Sequence, residues 1–310
     1  MLWILQLKNI LRMKSLNNKK LNSKQIRNYL ENKIESCKGH RLELIEALKA
    51  IKFSIESAMK IGGGKAQGNL IRSKKPINLI HEVIKSELVI TGVDSELIKP
   101  GPGITNGELK LSGFLKRKDQ DISIIPENLK QNKETLQFEG ILKNKIDIYG
   151  KNFTEQTLSI NVRSQLSSFA KNFDTLYERT FAEAFNLHTR CPKMVLGELY
   201  MIAIQEYDSD AAKSRKVKFK TVTNIEKHIE KYLLAFDAIN RRISHMGEFH
   251  KYERICLLIV DFNRKVPKVY SDDNELIKDK LLPQNSKSSI KNLSFETFIT
   301  ELLKIYSSRF

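Results

Sequence analysis

Asn161, Arg163 and Gln165 are the residues whose types and spacing first indicate chemistry. They alternate with apolar residues over positions 158–165, and this period of two predicts a β-strand with one apolar and one polar face. The three polar side chains are therefore expected to project together. From such a face, Arg163 could steady a phosphate, and Gln165 could orient a water molecule without exchanging a proton.

Carboxylates occur on both sides of this strand in the sequence. Asp121 begins a short apolar stretch at 122–125, which predicts a second strand. A helix expected over about 166–188 carries Glu178 and Glu183. An acid at a strand start, a polar strand face and an acid-bearing helix together are typical of nucleases that bind Mg2+ beside a phosphate.

The charge of the chain favours a polyanionic partner. Its 310 residues include 53 Lys and Arg against 36 Asp and Glu, which gives a formal net charge of +17 and an isoelectric point of about 9.6. A surplus of this size attracts nucleic acid through the release of counterions. The hydrophobic fraction of 41% indicates a folded protein rather than a disordered chain.

Cysteine usage and hydropathy indicate the compartment. The three cysteines are odd in number and far apart, which argues against a disulfide framework or a zinc site and fits a reducing cytoplasm. The apolar opening at 1–5 is interrupted by Lys8 and Arg12 before a signal-peptide core forms, and no later stretch is long enough to span a bilayer. We therefore expect a soluble, cytoplasmic protein without membrane association.

Hydrophobic periodicity divides the chain into three parts. Helical spacing dominates at first, a Pro/Gly loop at 100–103 forms a boundary, and strands then alternate with helices. We predict a loose segment at 1–22, a helical N-terminal region at 23–103 and an α/β core at 104–310. The predicted strands lie at 108–115, 121–125, 146–149, 157–165, 193–204 and 255–262, and the predicted helices at 23–59, 79–88, 166–188, 224–242 and 294–306.

The stretch Ile-Asn-Val-Arg-Ser-Gln-Leu-Ser-Ser at 160–168 resembles a type II restriction endonuclease of the PD-(D/E)XK nuclease superfamily. The resemblance covers roughly residues 104–306. It implies a mixed central sheet flanked by helices, Mg2+-dependent cleavage of double-stranded DNA at a short specific sequence, and a homodimer. Supporting segments are Asp174-Thr175-Leu176, Glu178-Arg179-Thr180, Gln120-Asp121-Ile122, Val195-Leu196-Gly197-Glu198-Leu199-Tyr200, Glu206-Tyr207-Asp208 and Tyr252-Glu253-Arg254.

The superfamily pattern has one acid at the start of a strand, then an acid and a lysine two residues apart on the next strand. Asp121 matches the first position. Asp147 is its rival because it lies nearer in sequence to Asn161, but Asp121 is preferred because an apolar strand follows it directly. At the second position the chain departs from the pattern, since either Asn161-Val162-Arg163 or Arg163-Ser164-Gln165 stands where Glu-X-Lys is expected.

Because of this departure, the second acid is expected at another place in the chain. Some members of the superfamily carry it on the following helix, and the resemblance then implies Glu178 or Glu183 as the partner of Asp121 in a Mg2+ site. Because a guanidinium stays protonated, Arg163 is a poor general base, and we expect a water activated by the metal without an obligatory protein base. The candidate catalytic residues are Asp121, Asn161, Arg163, Gln165 and Glu178, and the candidate metal ligands are Asp121, Glu178 and Glu183.

Two basic stretches are candidates for contact with the DNA backbone. One follows the run Gly62-Gly63-Gly64, which lacks Walker spacing and predicts a flexible hinge rather than a phosphate loop. Two alternative functions stay open: a DNA-binding protein on a catalytically inactive nuclease fold, favoured by the missing Glu-X-Lys acid, and a structure-specific repair nuclease. The candidate DNA-binding residues are Lys65, Arg72, Lys74, Lys75, Lys213, Arg215 and Lys216.

Overall fold

The computed structural model of the chain describes residues 22–166 and 169–310. The predicted loose segment at 1–22 lies outside the described residues, apart from Asn22. The helices are α1 (Ser23–Glu35), α2 (Leu44–Arg72), α3 (Lys75–Ile90), α4 (Lys151–Glu155), α5 (Phe169–Arg190), α6 (Ser209–Lys213), α7 (Ile225–Ala238), α8 (Asp273–Lys278) and α9 (Phe295–Arg309). The strands are β1 (Ile98–Lys99), β2 (Leu109–Ser112), β3 (Arg117–Gln120), β4 (Ile122–Ile124), β5 (Glu134–Thr135), β6 (Ile146–Asp147), β7 (Leu158–Gln165), β8 (Val195–Ala203), β9 (Arg254–Asp261) and β10 (Lys268–Tyr270).

Six strands form one open central sheet in the order β1-β4-β7-β8-β9-β10. β1, β4 and β7 are antiparallel neighbours, β7, β8 and β9 are parallel, and β10 pairs antiparallel with β9. α3 contacts β7, and α9 contacts β8 and β9. The prediction of a mixed α/β fold with a central sheet flanked by helices is confirmed.

The parallel strands β8 and β9 form the centre of the core. Every residue of β8 is buried, and seven of the eight positions of β9 are buried, which is the pattern expected of strands covered on both faces. Gly197 is required in β8 because a Cβ there would lie 2.6 Å from Leu302 Cδ1 of α9. The side chain at the next position, Glu198, points to the other face, which α5 covers.

Helix α5 anchors the hairpin formed by β2 and β3. The Asn186 side chain accepts hydrogen bonds from the backbone N–H groups of Leu115 and Lys116, at 2.7 and 3.0 Å, and donates one to the Lys116 carbonyl. One turn later, the Arg190 guanidinium donates to Asp147 Oδ2 at 2.5 Å. These contacts hold the hairpin against the sheet and engage Asp147 in a buried ion pair.

The N-terminal helices are built into the same core. Helix α2 kinks at Gly62 and Gly63, the latter with a φ of +65°, so the predicted interruption at the glycine run is confirmed. A single cluster of buried apolar side chains extends from α1 to α9. After α3, β1 pairs with β4 and forms the outer strand of the sheet. Residues on both sides of the Pro/Gly loop therefore contribute to one sheet.

Several element boundaries differ from the predictions. The helical stretch predicted at 23–59 forms two helices, α1 and α2, and α2 continues to Arg72. Helix α7 begins after Asn224, whose φ of +53° is left-handed, and ends at Ala238 rather than at 242. The predicted cap at Ser294 is confirmed, since its hydroxyl accepts from the Glu296 N–H. Among the described residues, no helix combines the length and apolar character needed to cross a bilayer.

Candidate active site

A cleft of about 440 Å³ opens where the N-terminal helices meet the β2–β3 hairpin, strand β7 and helix α5. It contains three of the predicted catalytic residues, Asp121, Asn161 and Arg163, together with Glu183. Its lining residues are Ile71, Lys74, Ile77, His81, Glu108, Arg117, Lys118, Asp119, Asp121, Asn161, Val162, Arg163, Ser164 and Glu183.

Asp121 stands between β3 and β4, at the wall of this cleft. Its Oδ2 accepts a hydrogen bond from the Val162 N–H at 2.8 Å, while its own N–H donates to Asn161 Oδ1 at 3.2 Å. Burial raises the pKa of Asp121, against the lowering effect of the Val162 N–H. These two bonds hold the carboxylate next to strand β7, with which β4 pairs in antiparallel register.

Arg163 donates hydrogen bonds to two glutamates. Its Nε donates to Glu198 Oε1 and its Nη2 to Glu183 Oε2, each at 2.6 Å. Burial acts to lower the pKa of Arg163, but the two carboxylates raise it, so the guanidinium stays charged. Arg163 therefore links strand β8 to helix α5 at the wall of the cleft.

Lys118 approaches the same glutamate from the hairpin. Its Nζ lies 2.7 Å from Glu183 Oε2, so one carboxylate oxygen is shared by two cations. The other oxygen of Glu183 accepts from Asn161 Nδ2 at 3.2 Å. Glu183 is 3% exposed, and without these three donors a charged carboxylate at this depth would be strongly disfavoured.

Glu198 is the most deeply buried acid of the group, with no exposed surface. Strand register places it beside Asn161 on β7. Its Oε2 has no hydrogen-bond partner among the described residues. Burial raises the pKa of Glu198 to about 8, although Arg163 acts in the opposite direction.

The mouth of the cleft carries both signs of charge. Lys74, exposed and in a left-handed backbone conformation, and Arg117 bring positive charge. Glu108 also lines the mouth of the cleft. Burial, and to a smaller extent the negative charge of nearby Asp121, raises the pKa of this carboxyl. His81 lines the wall as a neutral ring, since burial and the neighbouring Lys85 lower its pKa to about 3.

Three predicted candidates lie elsewhere. Glu178 is exposed on α5 and does not line the cleft; it lies five residues before Glu183, more than a full turn, and so faces another direction. Gln165 is buried beyond the cleft, where its Oε1 accepts from the hydroxyls of Tyr200 and Tyr232. Asp147, the rival first acid, is held by Arg190 and does not line this cleft.

The two predicted DNA-binding stretches become neighbours in the fold. A Cβ on Gly63 would lie 2.9 Å from the carbonyl oxygen of Ala212, so the kink of α2 packs against α6. Lys65 and Lys213 follow these contact points and are both exposed. Arg72, Arg215 and Lys216 are exposed as well, Lys74 reaches the cleft, and Lys75 pairs with Glu31.

Within residues 22–166 and 169–310, no group of three or more His, Cys, Asp or Glu side chains is arranged to hold a metal ion. Asp121 and Glu183 line one cleft, but both oxygens of Glu183 are engaged by donors. A divalent ion bound between these two acids would therefore complete its coordination with water or substrate oxygens rather than with a further acid of the described part of the chain.

Lys118 and Glu108 are among the cleft residues that were not predicted from the sequence. Lys118 lies three positions before Asp121, and its place in a basic stretch of the sequence hid its contact with Glu183. Glu198 is a lone acid inside the apolar run at 195–203, but the sequence does not indicate that its partner is Arg163, 35 positions away. The chain matches no known family model, no curated protein and no solved structure at a significant level.

Proposed function

We propose that this chain is a Mg2+-dependent endonuclease of the PD-(D/E)XK type that hydrolyses double-stranded DNA at a specific sequence. The observation that carries the proposal is the convergence of Asp121, Glu183, Arg163 and Lys118 in one cleft. The supporting topology is an antiparallel β4–β7 pair, with the first acid at its start, continued by a helix and the parallel strand β8.

The donor set fits a magnesium ion. Mg2+ binds through one or two protein carboxylates and completes its shell with water and substrate phosphate, so a third acid is not required. A metal ion would take the place of Lys118 on Glu183 Oε2, and Asp121 Oδ1 accepts no hydrogen bond among the described residues. Asp121 and Glu183 are therefore the proposed ligands, in place of the predicted pair with Glu178.

The protein groups in the cleft have distinct tasks in this proposal. Bound Mg2+ supplies charge stabilisation to the phosphoryl oxygens and activates water. Lys118 gives up its contact with Glu183 and donates to the scissile phosphate, which is possible because its amine is carried by a flexible stem. Arg163 is held in place by Glu183 and Glu198 and serves as a fixed positive charge behind the phosphate.

The neighbouring basic surface supports DNA as the substrate. The segments around Lys65 and Lys213 pack together, and Lys74 adds an exposed cation at the mouth of the cleft. Such contacts supply affinity without sequence reading. We further propose a homodimer, because cutting both strands requires two such clefts, and a cytoplasmic location, which the three buried and unpaired cysteines support.

The decisive experiment compares two glutamates of α5. Purified wild type is incubated with bacteriophage DNA and Mg2+, and the fragment ends are sequenced. Discrete fragments with one common end sequence are expected. Glu183→Gln and Asp121→Asn should reduce the cleavage rate by at least about 100-fold, whereas the matched control Glu178→Gln, exposed on the same helix, should cut like wild type.

Wild-type cleavage rates in the Asp121 and Glu183 variants would contradict the proposed site. If Asp121→Asn and Glu183→Gln cut DNA at the wild-type rate, neither carboxylate takes part in the reaction. Random fragments instead of discrete ones would favour the structure-specific or repair nuclease.

An inactive DNA-binding protein is the second candidate function. One observation favours it: Arg163 and Lys118 neutralise Glu183, as expected of a cleft that has replaced its metal by fixed cations. Binding of duplex DNA without cleavage, in Mg2+ and in Mn2+ alike, would establish this alternative.

A further inference from the structure

A second concave site lies on the opposite face of the sheet from the candidate active site. Arg254 on β9 is in register with Gly197 and contacts Glu301 of α9, so it faces α9, whereas Arg163 faces α5. The pocket measures about 740 Å³ and shares no lining residue with the cleft. It is lined by Lys193, Arg241, Arg242, Ile243, His245, Arg254, Ile305, Ser308 and Arg309.

The lining is strongly cationic. Four arginines and one lysine contribute to it, and none of the lining residues is an acid. Lys193 and Arg241 are exposed at the rim and form no ion pair with any described residue. Two acids lie just behind the wall, Glu253 and Glu301, so the pocket keeps a surplus of positive charge.

Buried bonds hold the arginines of the wall in fixed orientations. Arg242 is 3% exposed, and its guanidinium donates to Glu253 Oε1 and to the backbone carbonyls of Pro192, His245 and Gly247. Arg309 Nη1 donates to the same Glu253 oxygen at 2.9 Å. Although burial acts to raise it, His188 and Arg309 lower the pKa of Glu253 to about 2, so this anchor remains charged.

The anchored guanidinium groups retain donors for a ligand. Arg309 Nε and Nη2 and Arg254 Nη2 have no hydrogen-bond acceptor among the described residues. Donors fixed in a planar fork are suited to the paired oxygens of a phosphate. Ile243, 88% exposed, and Ile305 add an apolar wall beside them.

We propose that this pocket binds a terminal phosphate or a diphosphate, with Arg254 and Arg309 as the inner donors and Lys193 and Arg241 at the rim. A concave site with its donors at the base admits the end of a chain more readily than the side of a duplex. The ligand is therefore a compact phosphoryl group, carried either by a free polyphosphate or nucleotide or by the 5′ end of a nucleic acid strand. The inference is independent of the proposed nuclease activity.

Calorimetric titration of the full chain with inorganic pyrophosphate tests the proposal. One site per chain is expected. The double variant Lys193→Gln/Arg241→Asn should weaken binding by on the order of tenfold, because it removes both rim cations. Asparagine is chosen at 241 because Arg241 has a φ of +57°, which asparagine tolerates.

The matched control is Lys278→Gln/Lys280→Asn. Both lysines are exposed, and Lys280 has the same φ of +57°, so the control removes equal charge with equal backbone demands. Weaker pyrophosphate binding in the rim variant with unchanged binding in the control supports the proposal, and unchanged binding in both overturns it. Thermal unfolding without ligand verifies that both double variants fold. Equal weakening in the two double variants, or no binding by wild type, overturns the proposal.

A competition experiment identifies the source of the phosphate. Single-stranded oligonucleotides with a 5′-phosphate or a 5′-hydroxyl compete with pyrophosphate for the pocket. Stronger competition by the phosphorylated strand supports the site and assigns it to nucleic acid ends. Competition by a nucleoside diphosphate, without a difference between the two strands, supports the site and assigns it to free nucleotides.

Discussion

Replacement of Glu198 by glutamine should change how the stability of the protein depends on pH. Burial raises the pKa of this carboxyl from 4.5 to about 8 in the native state. The native protein therefore binds a proton between these values that the unfolded chain has already released. The free energy of unfolding should accordingly fall as pH rises through this window, by roughly 1 kcal/mol per pH unit from this residue alone.

Glu198→Gln removes this titration while keeping an oxygen that accepts from Arg163 Nε. We expect the stability of the variant relative to wild type to rise by roughly 1 kcal/mol per pH unit from pH 5 to 8 and to level off above pH 8. Urea unfolding at pH 5, 6, 7, 8 and 9 measures the difference. Taking the difference cancels the titration of other carboxyls with raised pKa, such as Glu108 and Glu82, which both proteins share.

The exposed Glu178→Gln serves as control and should run parallel to wild type at every pH. Parallel stability profiles for Glu198→Gln and wild type would show that Glu198 is ionised throughout this range. Arg163 would then compensate the burial of Glu198 completely, and the argument from desolvation would be refuted.

Two further predictions concern residues that sequence reasoning singled out. Gln165→Met leaves the hydroxyls of Tyr200 and Tyr232 without their shared acceptor. It should lower the free energy of unfolding, measured in urea, by about 1–3 kcal/mol and leave the cleavage rate of the folded protein unchanged. A large fall in rate at unchanged stability would restore Gln165 to the catalytic group. The double variant Lys65→Gln/Lys213→Gln should reduce the slope of log affinity against log salt concentration by about 1 for each phosphate that a lysine no longer neutralises. Fluorescence anisotropy with duplex DNA measures this slope. An unchanged slope would exclude this surface from the DNA interface.

Much of the core could be predicted from local patterns. The alternation around Asn161 and the continuous apolar runs of β8 and β9 are properties of single strands, and the structure has strands at these positions. Ser294 was identified as a helix cap because capping depends on the two or three residues that follow it. Predictions of this kind succeed because the responsible contacts are close in sequence.

The composition of the cleft depends on contacts that are distant in sequence. Lys118 meets Glu183 only because Asn186, one turn further along α5, holds the hairpin that carries Lys118. The choice between Glu178 and Glu183 likewise depends on the rotation of α5 against the sheet. Helical periodicity gives the relative directions of the two acids but not which of them faces β7.

The pairing of β1 with β4 has a practical consequence for shortened versions of this protein. A chain that started at residue 104 would lack the outer strand and leave the backbone donors and acceptors of β4 unsatisfied along its length. Such an open edge invites pairing with other molecules, so the fragment should precipitate or form fibrils rather than remain dispersed. Because α3 also contacts β7, the same truncation would uncover apolar side chains of that strand and add to the tendency of the fragment to aggregate.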